Sequence, residues 1–176
     1  MKNIFLKTIG ITAFTLVVLF AAQIAVTAQE QEKKGDDLVQ DSSAWSANNI
    51  VGVWITTVTP RNCQTGLAVG PPFQSLVTYN KGGTMAEYGA NPATPFRTNG
   101  QGIWKQTNGH RRYAIAFTFF PLTPGGIPIG RLRVEQTVKL SQNGNGNESS
   151  GSFVLRDPNG NVIATGCSTS TATRFE

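Results

Sequence analysis

Few residues of this 176-residue chain are of the types that do chemistry. Its single histidine, His110, stands in "TNGHRR", which has the form of a hairpin turn, and no acidic residue lies beside it. It reads as a solvated turn residue and not as a general base. A Ser-His-Asp set needs only to meet in space, but no Gly-x-Ser-x-Gly elbow marks a nucleophile. One histidine and two cysteines, Cys63 and Cys167, do not supply an ordinary zinc set. Neither a catalytic residue, a metal site nor a cofactor is therefore assigned. Among the carboxylates, Asp157 falls in a turn, Glu148 and Glu176 at edges, and Glu135 beside Arg131 and Arg133. Only Glu87, in "TMAEYG", has the setting to point into a cavity, where burial is what turns a carboxylate into an acid/base catalyst. On so short a strand it reads first as a surface glutamate. "NGNGNES" holds a glycosylation sequon at Asn147, which matters only in a host that glycosylates.

The ends of the chain set the compartment. Lys2 and Lys7 precede and enter an apolar run that closes on Val26-Thr27-Ala28, the pattern of an export leader over residues 1–28 cut after Ala28. The alternative is an uncut anchor, because about 20 mostly apolar residues can span a bilayer. With the leader removed there is no integral membrane span, and the product is secreted or periplasmic. In such an oxidising compartment an even cysteine pair without a histidine cluster reads as a disulfide, Cys63 to Cys167. Residues 29–49 are polar and acidic, a flexible linker in which Trp45 either folds back onto the domain or stays exposed. The chain carries a net charge of +5, but its basic residues are scattered. They read as solvated surface, with neither nucleic acid nor an anionic membrane as partner.

From Ile50 onward, short β-branched and aromatic runs alternate with glycine, asparagine and proline turns such as "NKGG", "PGG" and "DPNGN". Strands are expected over Ile50 to Thr59, Phe73 to Tyr79, Thr84 to Tyr88, Gly102 to Thr107, Arg111 to Phe120, Gly130 to Leu140, Gly151 to Arg156 and Val162 to Thr173. In "RLRVEQTVKL" the residues Leu132, Val134, Val138 and Leu140 share one face with Gln136, while charged residues and Thr137 occupy the other. In "RRYAIAFTFF" Tyr113, Ile115, Phe117 and Phe119 share a face in the same way. Consecutive amphipathic antiparallel strands form a sandwich or curl until their edges meet. Eight is a number that closes naturally. The expected fold is all-β, an eight-stranded antiparallel up-and-down β-barrel over residues 50–176.

The first core strand carries Gly52-Val53-Trp54, and an arginine, Arg174, stands near the end of the last. With hairpin-linked strands between them, the chain resembles the lipocalin-like barrels of the calycin superfamily. The resemblance implies that Trp54 closes the barrel floor and that Arg174 packs across its indole. The same register, Trp54 opposite Arg174, brings Cys63 and Cys167 within two residues of facing each other. The Thr-Asp-Tyr turn of true lipocalins is not found, and the Gly-Gly turns also suit the allene oxide cyclase-like barrels.

Three functions follow. The first is a non-catalytic barrel that holds a small hydrophobic or amphipathic ligand against Tyr113, Ile115, Phe117, Phe119, Val134 and Val138; the alternative is that these side chains fill the interior. The second is a cofactor-free isomerase or cyclase of the allene oxide cyclase-like kind, which needs an isolated polar residue such as Glu87 in an apolar cavity. The third is a structural or interaction module that uses its long loops, "RNCQTGLAVGPP" and "GANPATPFRTNG". Ligand identity and oligomeric state are left open.

Overall fold

The computed structural model describes residues 49–175; the expected leader, Trp45 and nearly all of the polar linker lie outside the described residues. Eight strands follow in order: β1 Gly52–Arg61, β2 Phe73–Tyr79, β3 Thr84–Gly89, β4 Gly100–Gln106, β5 Arg112–Phe119, β6 Arg131–Leu140, β7 Gly146–Arg156 and β8 Val162–Arg174. Each pairs antiparallel with the next, and β8 returns to β1, so the sheet is a closed up-and-down barrel. Closure is what this pattern requires, because an open sheet would leave β1 and β8 as unpaired edges. The seam is in the expected register, with Trp54 opposite Arg174 and Ile55 opposite Thr173.

Several strand bounds differ from expectation, and two of the differences have a clear local reason. β1 does not stop before Pro60 but runs through it to Arg61. The Pro60 carbonyl accepts from Val69 N–H, so the Pro60 nitrogen faces that same side, where β2 has already ended with the pair Val58–Phe73. The missing N–H therefore removes no ladder bond. β7 begins at Gly146, inside the stretch read as a turn, and not at Gly151. The turn itself is compressed around Ser141, whose backbone N–H donates to the Gly146 carbonyl and whose hydroxyl accepts from Gly146 N–H.

One end of the barrel is packed shut. Ile50, Trp54, Tyr79, Met85, Tyr113, Val138 and Leu140 form a single buried cluster there, with Trp104 packed against it. Trp54 is fully buried and its indole N–H donates to the Ile50 carbonyl at 2.8 Å. Trp104 meets Tyr79 and Tyr113 edge-on, with ring centroids 6.4 and 5.7 Å away. The glycine of Gly52-Val53-Trp54 is required by this plug: its φ is 131°, and a Cβ there would stand 2.7 Å from Arg174 Nη1. Up-and-down topology sends the β1–β2, β3–β4, β5–β6 and β7–β8 loops to the opposite end, which is open.

Candidate functional site

Above the plug the interior is hollow. A cavity of about 410 Å³ runs from Val77, Met85 and Ile115 up to the loops of the open end, where Val69, Pro71 and Pro92 border it. This volume falls within the range of small-molecule sites, roughly 300 to 1,000 Å³. One wall is apolar, built from the inward faces of β2, β5 and β6: Phe73, Val77, Ile115, Phe117, Phe119, Leu132 and Val134. The other is polar. Ser149 on β7 donates to Gln136 Oε1 at 3.0 Å and shares a 2.6 Å hydrogen bond with Ser170, and Gln136 Nε2 donates to Ser168 at 3.0 Å. These small hydroxyls use the inward positions of β7 and β8 without filling them, which is why the barrel is not solid.

Of the side chains expected to hold a ligand, Ile115, Phe117, Phe119 and Val134 border the cavity. Tyr113 and Val138 do not. They face each other across β5 and β6 and are both buried in the plug, below the hollow. The period of two assigned them to the correct face of the sheet, but depth along the barrel axis is set by how the strands stagger, which periodicity does not reveal. Trp54 and Arg174 are at the floor, with the guanidinium over the indole. Cys63 and Cys167 are joined in a disulfide with Cα atoms 5.1 Å apart, tying the end of β1 to β8.

The surface placement expected for Glu87 is overturned. Glu87 is buried on the inner face of β3 and borders the cavity. Space for it comes from β4, where a Cβ on Gly100 would lie 2.8 Å from its Oε2. It is not isolated. Ser75 donates to its Oε1 at 2.8 Å, and Arg97, from the β3–β4 loop, forms a salt bridge through Nη2 to Oε2. Arg97 also sits over the Phe119 ring, 3.5 Å from its centroid, and its Nε donates to the Thr98 carbonyl. A buried carboxylate is retained only when paired in this way. Sequence reasoning missed Arg97, because nothing in "GANPATPFRTNG" tells which side chain of a long loop turns inward.

The remaining expectations sort simply. His110 is exposed in the β4–β5 turn, at the closed end and away from the cavity. Asn147 is buried on the inner face of β7, so its sequon offers no accessible nitrogen in the folded barrel. Among the described residues no three His, Cys, Asp or Glu side chains gather as a metal site. Burial pushes the Tyr79 and Tyr113 hydroxyls upward from their ordinary value, offset in part at Tyr113 by the Ile50 backbone and the Arg174 charge. Compared with known proteins, the chain matches no family model, no curated protein and no solved structure.

Proposed function

We propose that this barrel is a carrier of lipocalin-like, calycin type that binds one small apolar or amphipathic molecule without transforming it. The observation that carries the reading is the cavity itself: a hollow of about 410 Å³, floored by Val77, Tyr79 and Met85 above the Trp54 plug, walled by Phe117, Phe119 and Val134, and open at one end. A solid interior would have favoured a purely structural module. The polar strip of Gln136, Ser149 and Ser170 supplies hydroxyls for an amphipathic ligand's polar group. Binding is supported over isomerisation by the state of Glu87. A general base must be able to aim a lone pair at the proton it removes, whereas Glu87 is pinned by Ser75 and Arg97, which hold its oxygens toward protein donors. The disulfide is consistent with an oxidising compartment, which suits export of such a carrier.

The test is occupancy of the cavity. Native mass spectrometry of the exported protein before and after organic extraction is expected to show loss of a small-molecule adduct. The extracted protein is expected to brighten an environment-sensitive apolar dye. Val134→Trp, which narrows the hollow, should weaken the response while near-ultraviolet circular dichroism still shows a packed barrel. Dye binding that is unchanged in this variant would place the dye elsewhere and overturn the reading.

A further inference from the structure

The open end carries apolar side chains on three of its four loops and at the start of β8. Leu67 and Val69 stand on the β1–β2 loop, Phe96 on β3–β4, Ile127 and Ile129 on β5–β6, and Ile163 at the start of β8. Leu67 is 68% exposed and Ile127 67%. They are not scattered: the β3–β4 and β5–β6 loops are hydrogen-bonded to one another, Leu122 N–H to the Phe96 carbonyl and Thr98 N–H to that of Phe120. Val69 is at once exposed and part of the cavity wall, so the apolar surface continues from the loops into the hollow.

Beside these tips is a second, independent feature. Arg131 opens β6 and Arg156 closes β7, and the two are direct cross-strand partners, both exposed. Like charges placed opposite each other on neighbouring strands are unfavourable unless an anion lies between them. Neither arginine has a carboxylate partner among the described residues. Arg156 Nη1 donates to the Gly160 carbonyl, and the adjacent Asp157 is engaged by Asn161. Arg133, two residues along β6 on the same face, is by contrast paired with Glu135 at 2.7 Å.

From this geometry we infer that the open end docks on an anionic bilayer, with the loop tips entering the acyl boundary and Arg131 and Arg156 meeting lipid phosphates. A ring of separate apolar tips around a hole suits a fluid surface, which closes around each tip. Burial of apolar side chains together with attraction to anionic headgroups is the combination that holds a protein at an interface. Such docking departs, at this one end, from the sequence-based expectation of merely solvated basic surface. The inference rests in part on the carrier reading, because docking there lets an apolar ligand pass from lipid to cavity without crossing water.

The test is co-sedimentation of the exported chain with phosphatidylcholine vesicles and with vesicles containing phosphatidylglycerol, together with dye uptake in vesicle-free buffer. Binding is expected to the anionic vesicles. It should weaken about thirtyfold in Arg131→Gln/Arg156→Gln and be lost in Ile127→Asp/Ile163→Asp. Arg112→Gln, at the closed end, should bind as the parent does. Failure to sediment with anionic vesicles at low salt, or binding that survives the two aspartates, overturns the docking. Retention by a protein partner with no vesicle binding overturns it as well. Dye uptake without vesicle binding leaves the carrier reading intact, and vesicle binding without dye uptake removes the carrier reading alone.

Discussion

The guanidinium carbon of Arg174 lies 4.3 Å from the centroid of the Trp54 ring, and the two residues are direct partners across the seam that closes the barrel. The same guanidinium donates to the carbonyls of Asn49, Val51 and Gly144. It thus ties the entering chain and the β6–β7 turn to the floor. Arg174→Ala is expected to cost about 2 to 3 kcal/mol in denaturant unfolding, from the lost cation–π contact and charge-assisted hydrogen bonds. Arg174→Lys should recover only part of this, because an ammonium cannot reach three carbonyls as a planar fork. Full recovery by lysine would show that charge alone matters.

The Cys63–Cys167 bond closes a loop of 104 residues at the barrel seam. Chain entropy alone gives an upper figure of about 4 to 5 kcal/mol for such a loop. The double variant Cys63→Ser/Cys167→Ser should therefore unfold at lower denaturant concentration, by about 2 to 4 kcal/mol, with its cooperativity retained because the β1–β8 ladder remains. An unchanged midpoint would contradict this.

Glu87 and Arg97 are buried together. Removing one partner leaves a charge without compensation, so Glu87→Gln alone is expected to destabilise by about 3 to 5 kcal/mol. The pair Glu87→Gln/Arg97→Met, which removes both charges, should be milder than either single change. A double-mutant cycle measures the coupling, and additive losses would show that the two do not act as a pair.

Burial raises the Tyr79 hydroxyl from its ordinary value of 10.0, and that of Tyr113 with it. In the unfolded chain both ionise near pH 10, while the folded barrel retains the protons. Above that pH the native state binds more protons than the unfolded one, so their contribution to stability is complete below about pH 10 and is lost as pH rises further. Unfolding midpoints measured from pH 8 to pH 12 should bend downward near 10, and Tyr79→Phe should flatten the bend. An equal slope in parent and variant would exclude Tyr79 as its source.

Much of this architecture was legible in the chain itself. Alternation in "RLRVEQTVKL" and "RRYAIAFTFF" assigned the faces of β6 and β5, and the turn residues set the count of strands. The resemblance to lipocalin-like barrels sets Trp54 opposite Arg174, and Cys63 and Cys167 fall within two residues of that same register, because antiparallel register is a linear relation between positions. Where both faces of a strand are polar, the same logic is silent. "GNESS" at the start of β7 reads as a loop, although Asn147 and Ser149 face inward and Glu148 and Ser150 outward. Three further facts belonged to the tertiary structure alone: that Tyr113 and Val138 plug the floor while Phe117 and Val134 wall a hollow, that Glu87 meets Arg97 inside, and that Arg131 faces Arg156 among the apolar loop tips. Strand stagger and loop conformation decide each of them, and these depend on contacts between residues far apart in the chain, whereas periodicity and turn chemistry are local.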